Sequence, residues 1–399
     1  MEVLLRDAWA EVNLDHLAHN IREVRRVVRP GCRVAAVIKA DGYGHGAVAI
    51  AGTMLANGAD LLAVAVLPEA LQLRRAYPEA EIMLLGATPA ALAGTVVANR
   101  VVPTVFTRDC ALALSEAARS TGRKARIHLK LETGMGRIGM PATPETVDRI
   151  LDIAALPGIE VEGAFTHFAK ADEPDKTVTQ VQFEGFMAVM DRLEAKGLRI
   201  PLRHVSNSGA IIDLRACDLD MVRPGLMLYG LYPSGSVSHE AVRLKEAMAL
   251  KARVSHVKEL PPGCGISYGH IYHTRGTERI ATLPVGYADG YSRLLSGKAH
   301  VLVRGRRVPV VGRICMDQCM VNVTGLEVEP GEVVTLFGGE EDGKVWIDDV
   351  ADWMGTITHE VVCGIDKRVP RVYLKGGKVV GIRDYVQELQ ALPEPAPAF

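Results

Sequence analysis

The sequence lacks the features that would place a protein in a membrane, on a nucleic acid or in an oxidising compartment. No run of about 18 apolar residues occurs, and no apolar segment preceded by positive charge opens the chain. The net charge is -1 without a block of either sign, which argues against nucleic acid and anionic membranes as partners. The seven cysteines are irregularly spaced, as is typical of reduced thiols rather than a disulfide framework. We therefore expect a cytoplasmic protein.

The composition is that of a protein with a large hydrophobic core. Hydrophobic residues make up 48% of the 399 positions and charged residues 23%, which is typical of soluble globular proteins. A chain of this length exceeds one compact domain, so we expect two domains.

The first half of the chain alternates apolar strands with alanine-rich helical stretches. A short strand at 9–12 precedes a helical pattern that Asn13 can cap and that Pro30 and Gly31 end. Eight strand candidates then recur, at 34–38, 61–66, 82–85, 101–105, 127–131, 161–165, 202–205 and 221–229. Eight strands with intervening helices predict a parallel (β/α)8 TIM-like barrel rather than an open doubly wound sheet.

The stretch 34–46 holds an unusual lysine. Five apolar residues form a strand, Lys39 follows it directly, and Tyr43 stands among three glycines. Because desolvation disfavours an ammonium ion, a lysine there can act as a nucleophile toward a carbonyl group or as a proton carrier. A lysine that snorkels out of a strand end is the simpler alternative. The glycines would let backbone approach an anion such as phosphate.

Further polar side chains follow the later strands. In such a barrel, active-site residues lie just past the carboxyl ends of the strands. His128, Lys130 and Glu132 alternate onto one face of the fifth strand. The other candidates at strand ends are Arg137, Thr166, His167, Phe168, His204, Asn207, Ser208, Arg223, Gly225 and Leu226. Each alone has a structural explanation, but together at one rim they predict a site.

The second half of the chain has a different pattern. Residues 239–250 have a helical pattern, and short β-type runs then alternate with turn residues as far as 372. This pattern predicts a mostly antiparallel β domain. We expect the barrel to span 1–240, with 8–13 joining the β domain, the β domain to span 241–384, and a mobile proline-rich tail to span 385–399.

Metal binding is a weak alternative for part of this domain. Cys315, Cys319, His359 and Cys363 have tolerable ligand spacings for zinc. Both pairs lie inside segments that a different interpretation explains, so we expect no metal.

Together the motifs resemble the alanine racemase family, which depends on pyridoxal 5'-phosphate (PLP) and has fold type III. The resemblance includes residues 34–46, the strand ends of the barrel, and the segments 265–269, 284–290 and 312–318. It implies a PLP enzyme that interconverts L- and D-alanine for peptidoglycan synthesis, with Lys39 and Tyr268 as catalytic bases. The implied cofactor contacts are Lys39, Tyr43, Arg137, His167, Asn207, Ser208, Arg223, Gly225, Leu226 and His359. The implied substrate contacts are Arg137 and Met316, and the implied entrance residues are Tyr287, Arg293 and Arg313.

The resemblance also assigns parts of the cofactor to particular residues. Tyr43, Ser208, Gly225 and Leu226 would bind the phosphate. His167 would stack on the pyridine ring, Arg137 would contact the phenolic oxygen, and Arg223 would face the ring nitrogen. A guanidinium group only donates hydrogen bonds and stays protonated, so that nitrogen would be unprotonated. Such a ring withdraws electrons more weakly, which favours simple removal and return of the α-proton.

Racemisation requires an acid or base on each face of the substrate, and the resemblance assigns these roles to Lys39 and Tyr268. A phenol is a weak acid, and His167 is the implied acceptor of its proton. In this family the tyrosine comes from the partner subunit, so the resemblance implies a homodimer with two shared active sites.

Four positions differ from the family pattern. His359 replaces a tyrosine that narrows the substrate pocket, Glu132 replaces an aspartate, and Asp366 takes a common serine position. Lys170 adds a positive charge near the implied entrance. Lys130 occupies the position of a lysine that is often carbamylated.

Three other functions are compatible with parts of this pattern. A serine or broader-specificity racemase would follow from a wider pocket at His359. A PLP-homeostasis protein without turnover shares the barrel and its lysine, but is usually a single barrel. An amino-acid decarboxylase of related fold would carry an acidic residue where Arg223 stands.

Overall fold

The computed structural model describes residues 4–339 and 344–386, which divide into two compact units. One unit is His16–Lys245, and the other contains the described residues up to Asp15 and from Glu246 onward. Residues 387–399 of the expected proline-rich tail lie outside the described residues. Among the described residues, no helix has the length and apolarity needed to cross a bilayer.

The first unit is a nearly closed parallel barrel, as the sequence predicted. After strand β1 (Ala8–Asn13), which belongs to the other unit, one sheet contains nine strands: β2 (Arg33–Val37), β3 (Leu61–Val64), β4 (Ile82–Ala87), β5 (Val101–Val105), β6 (Ala125–Glu132), β7 (Met140–Pro141), β8 (Ile159–Phe165), β9 (Leu202–His204) and β10 (Met221–Val222). Eight follow the barrel order, and the short β7 pairs beside β6. Backbone hydrogen bonds from Asp220 N to Arg203 O and from Arg223 N to Ser206 O, both 3.0 Å, link the last two strands.

Helices separate the barrel strands. They are α1 (Leu14–Val27), α2 (Lys39–Tyr43), α3 (Ala47–Asn57), α4 (Leu67–Ala76), α5 (Ala93–Ala98), α6 (Arg108–Thr121), α7 (Pro144–Ala154), α8 (Thr177–Ala195) and α9 (Ser208–Asp213). Short 3₁₀ helices are Ala90–Leu92, Arg215–Cys217 and Leu226–Tyr229. Helix α1 begins where the sequence predicts, and the Asn13 side chain accepts a hydrogen bond of 2.9 Å from Asp15 N.

Strand β6 explains how this barrel acquires a polar interior. Ile127, Leu129 and Leu131 alternate along the strand with Arg126, His128, Lys130 and Glu132. Successive side chains of a strand point to opposite faces. His128 and Lys130 are each only 1% exposed, so both lie buried, where barrels ordinarily carry branched apolar side chains.

The prediction of the last barrel strand, at 221–229, is wrong after its second residue. Strand β10 ends at Val222, and residues 226–229 form a 3₁₀ helix instead of continuing the strand. Pro224 has no backbone N–H to donate to a ladder, and Gly225 turns the chain with φ -119° and ψ -93°. This turn brings backbone N–H groups to the rim of the barrel.

The predicted helix at 239–250 is also wrong. Most of this segment has no regular structure, and strand β11 begins at Met248. Asn20 of helix α1, which is fully buried, holds the segment extended by donating 2.8 Å to Lys245 O and accepting 2.8 Å from Lys245 N. Tyr232 also donates to Val242 O at 2.9 Å. These tertiary contacts override a local helical preference.

Replacing Asn20 with alanine tests that explanation. The change leaves the buried Leu228 carbonyl and two partly buried backbone groups of Lys245 without the partners seen at 3.0 and 2.8 Å. We expect the free energy of unfolding to fall by about 2–4 kcal/mol. Urea denaturation of the variant measures this loss, with Asn57→Ala, on the partly exposed end of helix α3, as the control. A loss equal to that of the control would contradict the explanation.

The second unit is a ten-stranded, mostly antiparallel sheet. Its strands besides β1 are β11 (Met248–Arg253), β12 (His256–Leu260), β15 (Glu278–Leu283), β16 (His300–Val303), β17 (Arg306–Val311), β18 (Cys319–Asn322), β19 (Val333–Phe337), β20 (Arg371–Lys375) and β21 (Lys378–Arg383). A separate pair contains β13 (Gly265–Ile266) and β14 (Tyr272–His273). The helices are α10 (Ile347–Met354) and α11 (Thr358–Cys363), with 3₁₀ turns at Tyr268–His270, Tyr287–Asp289 and Arg293–Leu295. Strand β1 pairs antiparallel with β11 and parallel with β20.

Candidate active site

Lys39 lies where strand β2 ends and an unusual left-handed turn begins. Ala40, Asp41, Gly42 and Tyr43 have φ values of 52°, 52°, 65° and 51°. For residues with a Cβ atom this conformation costs about 1–2 kcal/mol each. A Cβ atom on Gly42 would also lie 2.7 Å from Ile50 Cδ1. Such a turn persists only where surrounding contacts hold it, which is typical of functional sites.

Two carboxylates hold this turn. Glu69 accepts hydrogen bonds from Ala40 N at 2.6 Å and from Ala65 N at 2.9 Å, so it joins the turn to the start of helix α4. Asp41 accepts from Ala47 N at 2.9 Å. Sequence reasoning did not identify Glu69, although an acid at the third position of a helix is a recognisable capping signal.

A set of hydrogen-bond donors lies near Tyr43. The Ser208 Oγ atom accepts from Gly225 N at 3.0 Å and from Met227 N at 3.4 Å. A Cβ atom on Gly225 would lie 2.8 Å from the Tyr43 hydroxyl oxygen, so a side chain there would displace that hydroxyl. Hydroxyl and backbone N–H groups arranged in this way suit an anion such as a phosphate group. Asn207 caps helix α9 by accepting from Ala210 N at 3.2 Å.

Arg223 is buried at the same rim with its orientation fixed by five contacts. Its Nη1 atom donates to His204 Nδ1 at 2.8 Å and to His204 O at 3.0 Å. Its Nη2 atom donates to Thr166 O at 2.7 Å and Val205 O at 3.1 Å, and lies 3.4 Å from His167 Nδ1. Within the described residues, Nε has no hydrogen-bond partner. Burial, with a smaller effect of Arg137, lowers the pKa of Arg223, yet a guanidinium group stays protonated at any working pH.

His167 is a neutral side chain among positive charges. Burial lowers its pKa well below the ordinary value, and the charges of Arg223, Arg137, Lys130 and Lys39 lower it further. These contributions also place Lys39 and Arg137 near His167 at the rim. A neutral imidazole can accept a proton, which a protonated one cannot.

Lys130 is buried beside these residues. Its Nζ atom donates to Leu131 O at 2.5 Å and lies 5.5 Å from the centre of the Phe165 ring. Burial, with the charge of Arg223 as the next cause, lowers the pKa of Lys130 to about 8. A substantial fraction of neutral amine is therefore present at pH 8.

Glu132 shapes the loop that carries Arg137. Its carboxylate accepts hydrogen bonds from Gly134 N at 2.5 Å, Met135 N at 2.6 Å and Arg137 N at 3.2 Å. Although burial opposes the charge, these hydrogen bonds lower the pKa of Glu132. Arg137 is thus presented on an ordered turn although its own side chain is exposed.

Replacing Glu132 with glutamine should loosen this turn, because an amide presents only one acceptor oxygen to three N–H groups. We expect a loss of about 1–3 kcal/mol in the free energy of unfolding at pH 7. The folded-state pKa of Glu132 is lowered, so its charge contributes stability above about pH 4.3 and that contribution is lost as the pH falls further. The difference between wild type and variant should therefore shrink below pH 4. Urea denaturation at pH 7 and pH 3.5 measures it, with the exposed Glu160→Gln as control, and a difference that is independent of pH would contradict this role.

In the second unit, Tyr268 projects from the connection between β13 and β14. It is 72% exposed. Ser267 has φ 62°, and its hydroxyl donates to Arg313 O at 2.6 Å. A Cβ atom on Gly312 would lie 2.6 Å from Ile266 O, so the two loops pack closely. The phenol therefore stands free of its own unit on a well-supported turn.

The implied substrate and entrance residues lie in two neighbouring loops. Tyr287 N donates to Cys315 O, and Ala288 N donates to Met316 O, both at 3.0 Å. A Cβ atom on Gly286 would lie 2.3 Å from Cys315 O, so glycine permits this contact. The structure thus brings Tyr287 and Met316 together.

The remaining predicted residues are distributed around these loops. Arg313 lies against Gly269, where a Cβ atom would be 3.4 Å from its Nε atom, and therefore close to Tyr268. Arg293 is exposed on its own 3₁₀ turn. His359 is half-buried near the start of helix α11. No group of three or more His, Cys, Asp or Glu side chains suited to a metal ion occurs in residues 4–339 and 344–386.

The barrel rim thus brings together nine of the predicted residues, while Tyr268, Met316, Tyr287, Arg293, Arg313 and His359 belong to the second unit. The nine are Lys39, Tyr43, Lys130, Arg137, His167, Asn207, Ser208, Arg223 and Gly225, and Leu226 adjoins them. Sequence reasoning missed Glu69 and Glu162, the second of which lies beside His128. A glutamate inside strand β8 was the signal available for Glu162.

Comparison with known proteins shows the family. The chain matches the family model "Alanine racemase, N-terminal domain" over residues 12–233 and "Alanine racemase, C-terminal domain" over residues 247–373. It is 48% identical to alanine racemase of Clostridium perfringens over 97% of this chain and all of that one. It is 49% identical to alanine racemase of Desulforamulus reducens over 92% of this chain and 98% of that one.

Solved structures agree with these sequence comparisons. The chain is similar to alanine racemase of Clostridium difficile 630, with a TM-score of 0.92 and 41% identity, covering 96% of this chain and all of that one. It is also similar to alanine racemase of Bacillus anthracis with bound L-Ala-P, with a TM-score of 0.91 and 36% identity, covering 97% of this chain and all of that one. The chain therefore belongs to the alanine racemase family and is an isomerase that acts on an amino acid.

Proposed function

We propose that the protein uses PLP to interconvert L- and D-alanine by a two-base reaction in the cytoplasm. In a bacterium the D-alanine would supply peptidoglycan synthesis. The observation that carries the proposal is the barrel rim, where Lys39, the donor set at Ser208 and Gly225, and the oriented Arg223 occur in one unit. Similarity to alanine racemases over nearly the whole chain supports it.

The residues at the rim fit PLP. The Tyr43 and Ser208 hydroxyls and the backbone at Gly225 and Leu226 match the acceptor oxygens of a phosphate group, and glycine leaves the space open. Arg223 has its Nε–H available for an acceptor nitrogen. When bound, PLP would withdraw electrons from the substrate α-carbon and so make its proton removable. Lys39 would hold the cofactor covalently through Nζ.

Lys39 and Tyr268 would move the proton. Lys39 Nζ would take or return it on one face of the α-carbon, and the Tyr268 hydroxyl oxygen would do so on the other. His167 is neutral, and its imidazole would accept a hydrogen bond from the phenol. Arg223, which only donates, would leave the ring nitrogen unprotonated and so disfavour transamination and β-elimination.

Other residues would hold the substrate and cofactor in place. Arg137 would contact the phenolic oxygen of PLP and the substrate, and the Met316 backbone N–H would bind the substrate carboxylate. Lys130 is partly neutral near pH 8, and a neutral amine is the form that carbamylation requires. The entrance would be lined by Tyr287, Arg293 and Arg313.

The exposed surroundings of Tyr268 support a homodimer with two shared sites. Tyr268 is 72% exposed, Ile271 49% and Met316 53%, all in the same unit. Large exposed apolar side chains that lie near one another typically mark a protein interface. A second copy of the chain would cover them and receive the phenol in its own site.

The test is direct conversion of substrate. Purified protein supplied with PLP and L-alanine should produce D-alanine, followed on a chiral column, until the two enantiomers are equal. Release of CO₂ would instead indicate a decarboxylase. No reaction, with PLP nevertheless bound, would indicate a PLP-homeostasis protein.

His359 makes substrate range a separate prediction. Imidazole is shorter than the phenol that the family pattern has there, so the pocket should admit a larger side chain. We expect the His359→Tyr variant to lower kcat/KM for serine relative to alanine by about tenfold, within the range of 1–3 kcal/mol for small changes in pocket size. Turnover of both amino acids by wild type and variant measures the ratio. An unchanged ratio would show that His359 does not set the width of the pocket.

A further inference from the structure

A continuous file of polar side chains runs from Arg223 into the interior of the barrel. Arg223 Nη1 lies 2.8 Å from His204 Nδ1, and His204 Nε2 lies 2.8 Å from His128 Nδ1. His128 Nε2 lies 3.5 Å from Glu162 Oε2, an ion-pair distance that is longer than a hydrogen bond. Glu162 precedes Phe165, at the end of strand β8, by three residues, or roughly 10 Å along the strand. Both histidines are buried, at 0% and 1% exposure, where barrels are usually apolar.

Only one arrangement of protons satisfies this file. A guanidinium group cannot accept, so His204 Nδ1 must be the acceptor and its proton lies on Nε2. That N–H donates to His128 Nδ1, which places the His128 proton on Nε2, facing Glu162. Protonation of either ring on its second nitrogen would set two donors against each other. Both rings are therefore neutral, and burial, with the nearby charge of Arg223 on His204, lowers the pKa of each.

The far end of the file is a firmly ionised carboxylate. Although burial opposes the charge, contacts with His128 and Arg126 lower the pKa of Glu162 to about 2. Arg126 also pairs with Glu81 at 2.7 Å, and Glu81 pairs with Arg33 at 2.9 Å. The acceptor at the end of the file therefore remains present at any working pH.

Packing holds the two imidazole rings in place. A Cβ atom on Gly163 would lie 2.6 Å from His128 Nδ1, so the ring is seated directly on the backbone of strand β8. The His204 ring stacks on Phe165 with centres 4.8 Å apart and planes at 9°. The Arg223 guanidinium lies 5.1 Å from the centre of the same Phe165 ring. Rotation of either imidazole would break these contacts together with the hydrogen bonds.

We propose that His204, His128 and Glu162 are positioning residues that fix the tautomers next to Arg223 and thereby the direction of its Nε–H. This inference rests on the proposed function, because the Nε–H would serve the PLP ring nitrogen. A carboxylate deep in the barrel would then control whether alanine is racemised or diverted to transamination. The arrangement resembles in principle a histidine metal ligand whose second nitrogen is oriented by a carboxylate.

The test compares two replacements of His128. Glutamine can accept from His204 through its oxygen and donate to Glu162 through its nitrogen, so His128→Gln keeps the polarity of the file. His128→Phe removes both groups but keeps a flat ring. Histidine labelled with ¹⁵N, observed by NMR in the cofactor-free protein, reports the His204 tautomer. We expect wild type and His128→Gln to keep the proton on Nε2. In His128→Phe a proton on Nε2 would be buried without an acceptor, and this cost competes with the contact to Arg223. We therefore expect a mixture of tautomers, in which the ring protonated on Nδ1 no longer accepts from Arg223.

A second readout uses the PLP-loaded enzyme. Pyruvate formed per alanine racemised measures diversion, since transamination passes the amino group to the cofactor. We expect this ratio to rise about 10- to 100-fold in His128→Phe, the size of effect that outer partners of metal-bound histidines have, and to change less than threefold in His128→Gln. If His128→Phe does not fold, Glu162→Leu removes the acceptor at the other end and should shift the His204 resonances in the same way.

Different results would overturn the positioning role of His204, His128 and Glu162 and the proposed racemase function. An unchanged His204 tautomer in a folded His128→Phe or Glu162→Leu protein would overturn the positioning role, as would an unchanged pyruvate ratio. Failure of wild type to bind PLP or to racemise alanine would overturn the proposed function, whereas the NMR result on the cofactor-free protein would still decide the tautomers.

Discussion

Replacing Lys39 with alanine should abolish the interconversion of L- and D-alanine. Lys39 is proposed both to hold PLP covalently and to carry a proton on one face of the substrate, so its loss removes two functions. We expect kcat to fall at least about 10³-fold, since proton transfer by a positioned side chain alone contributes 10²–10⁴-fold. Chiral chromatography of the product measures the rate. Borohydride reduction followed by mass spectrometry should find one attached cofactor in wild type and none in the variant.

The control for this prediction is Lys124→Ala. The Lys124 side chain is 74% exposed and pairs loosely with Glu160 at 3.6 Å, and exposed pairs contribute little to stability. This variant should keep the activity and cofactor content of wild type. If the Lys39 variant still gained the mass of PLP after reduction, another lysine would be the attachment site, and Lys130, buried at the same rim, would be the first to examine.

Replacing Tyr268 with phenylalanine should affect the two directions of proton transfer unequally. The change removes one hydroxyl from a side chain that is 72% exposed in its own unit, so folding should be unaffected. Racemisation should fall by about 10²–10⁴-fold. Lys39 would still exchange the α-proton of one enantiomer. With α-deuterated L- and D-alanine in ordinary water, one enantiomer should lose its deuterium without inverting, and the other should retain it.

Tyr272→Phe is the matched control. Tyr272 lies on the adjacent strand β14, where its hydroxyl donates to Glu278 at 2.6 Å. Loss of that hydroxyl should lower stability slightly and leave both exchange rates similar to those of wild type. Equal loss of deuterium exchange from both enantiomers in the Tyr268 variant would argue against a two-base reaction.

The barrel strands and the residues at their carboxyl ends could be predicted from the sequence alone. The eight barrel strands are short apolar runs separated by helical stretches, and that alternation is a local property, so the (β/α)8 architecture followed from it. The strand ends were equally readable, because a rule of barrel topology turns a position in sequence into a position at the rim. Lys39, Tyr43, His167 and Arg223 were found in this way.

The two errors in secondary structure have different physical causes. Residues 242–247 have no regular structure, because the Asn20 side chain, which is distant in sequence, binds the backbone of Lys245. Residues 226–229 turn because Pro224 and Gly225 end the strand. Local preference contributes little free energy per residue, so a few buried hydrogen bonds reverse it. The Asn20 contact is not visible in a window of neighbouring residues, whereas Pro224 and Gly225 lie inside the predicted strand and were a local signal for its end.

By itself the sequence determined the barrel, the antiparallel second unit and the family, because each depends on patterns repeated along the chain. Only the tertiary structure decided the left-handed turn after Lys39, held by Glu69, and the proton arrangement that connects Arg223 with Glu162. Those features depend on distances and on donor and acceptor directions between residues far apart in sequence. Hydrogen bonds are directional over about 3 Å, so a side chain's chemistry at the rim is set by partners that folding alone brings within reach.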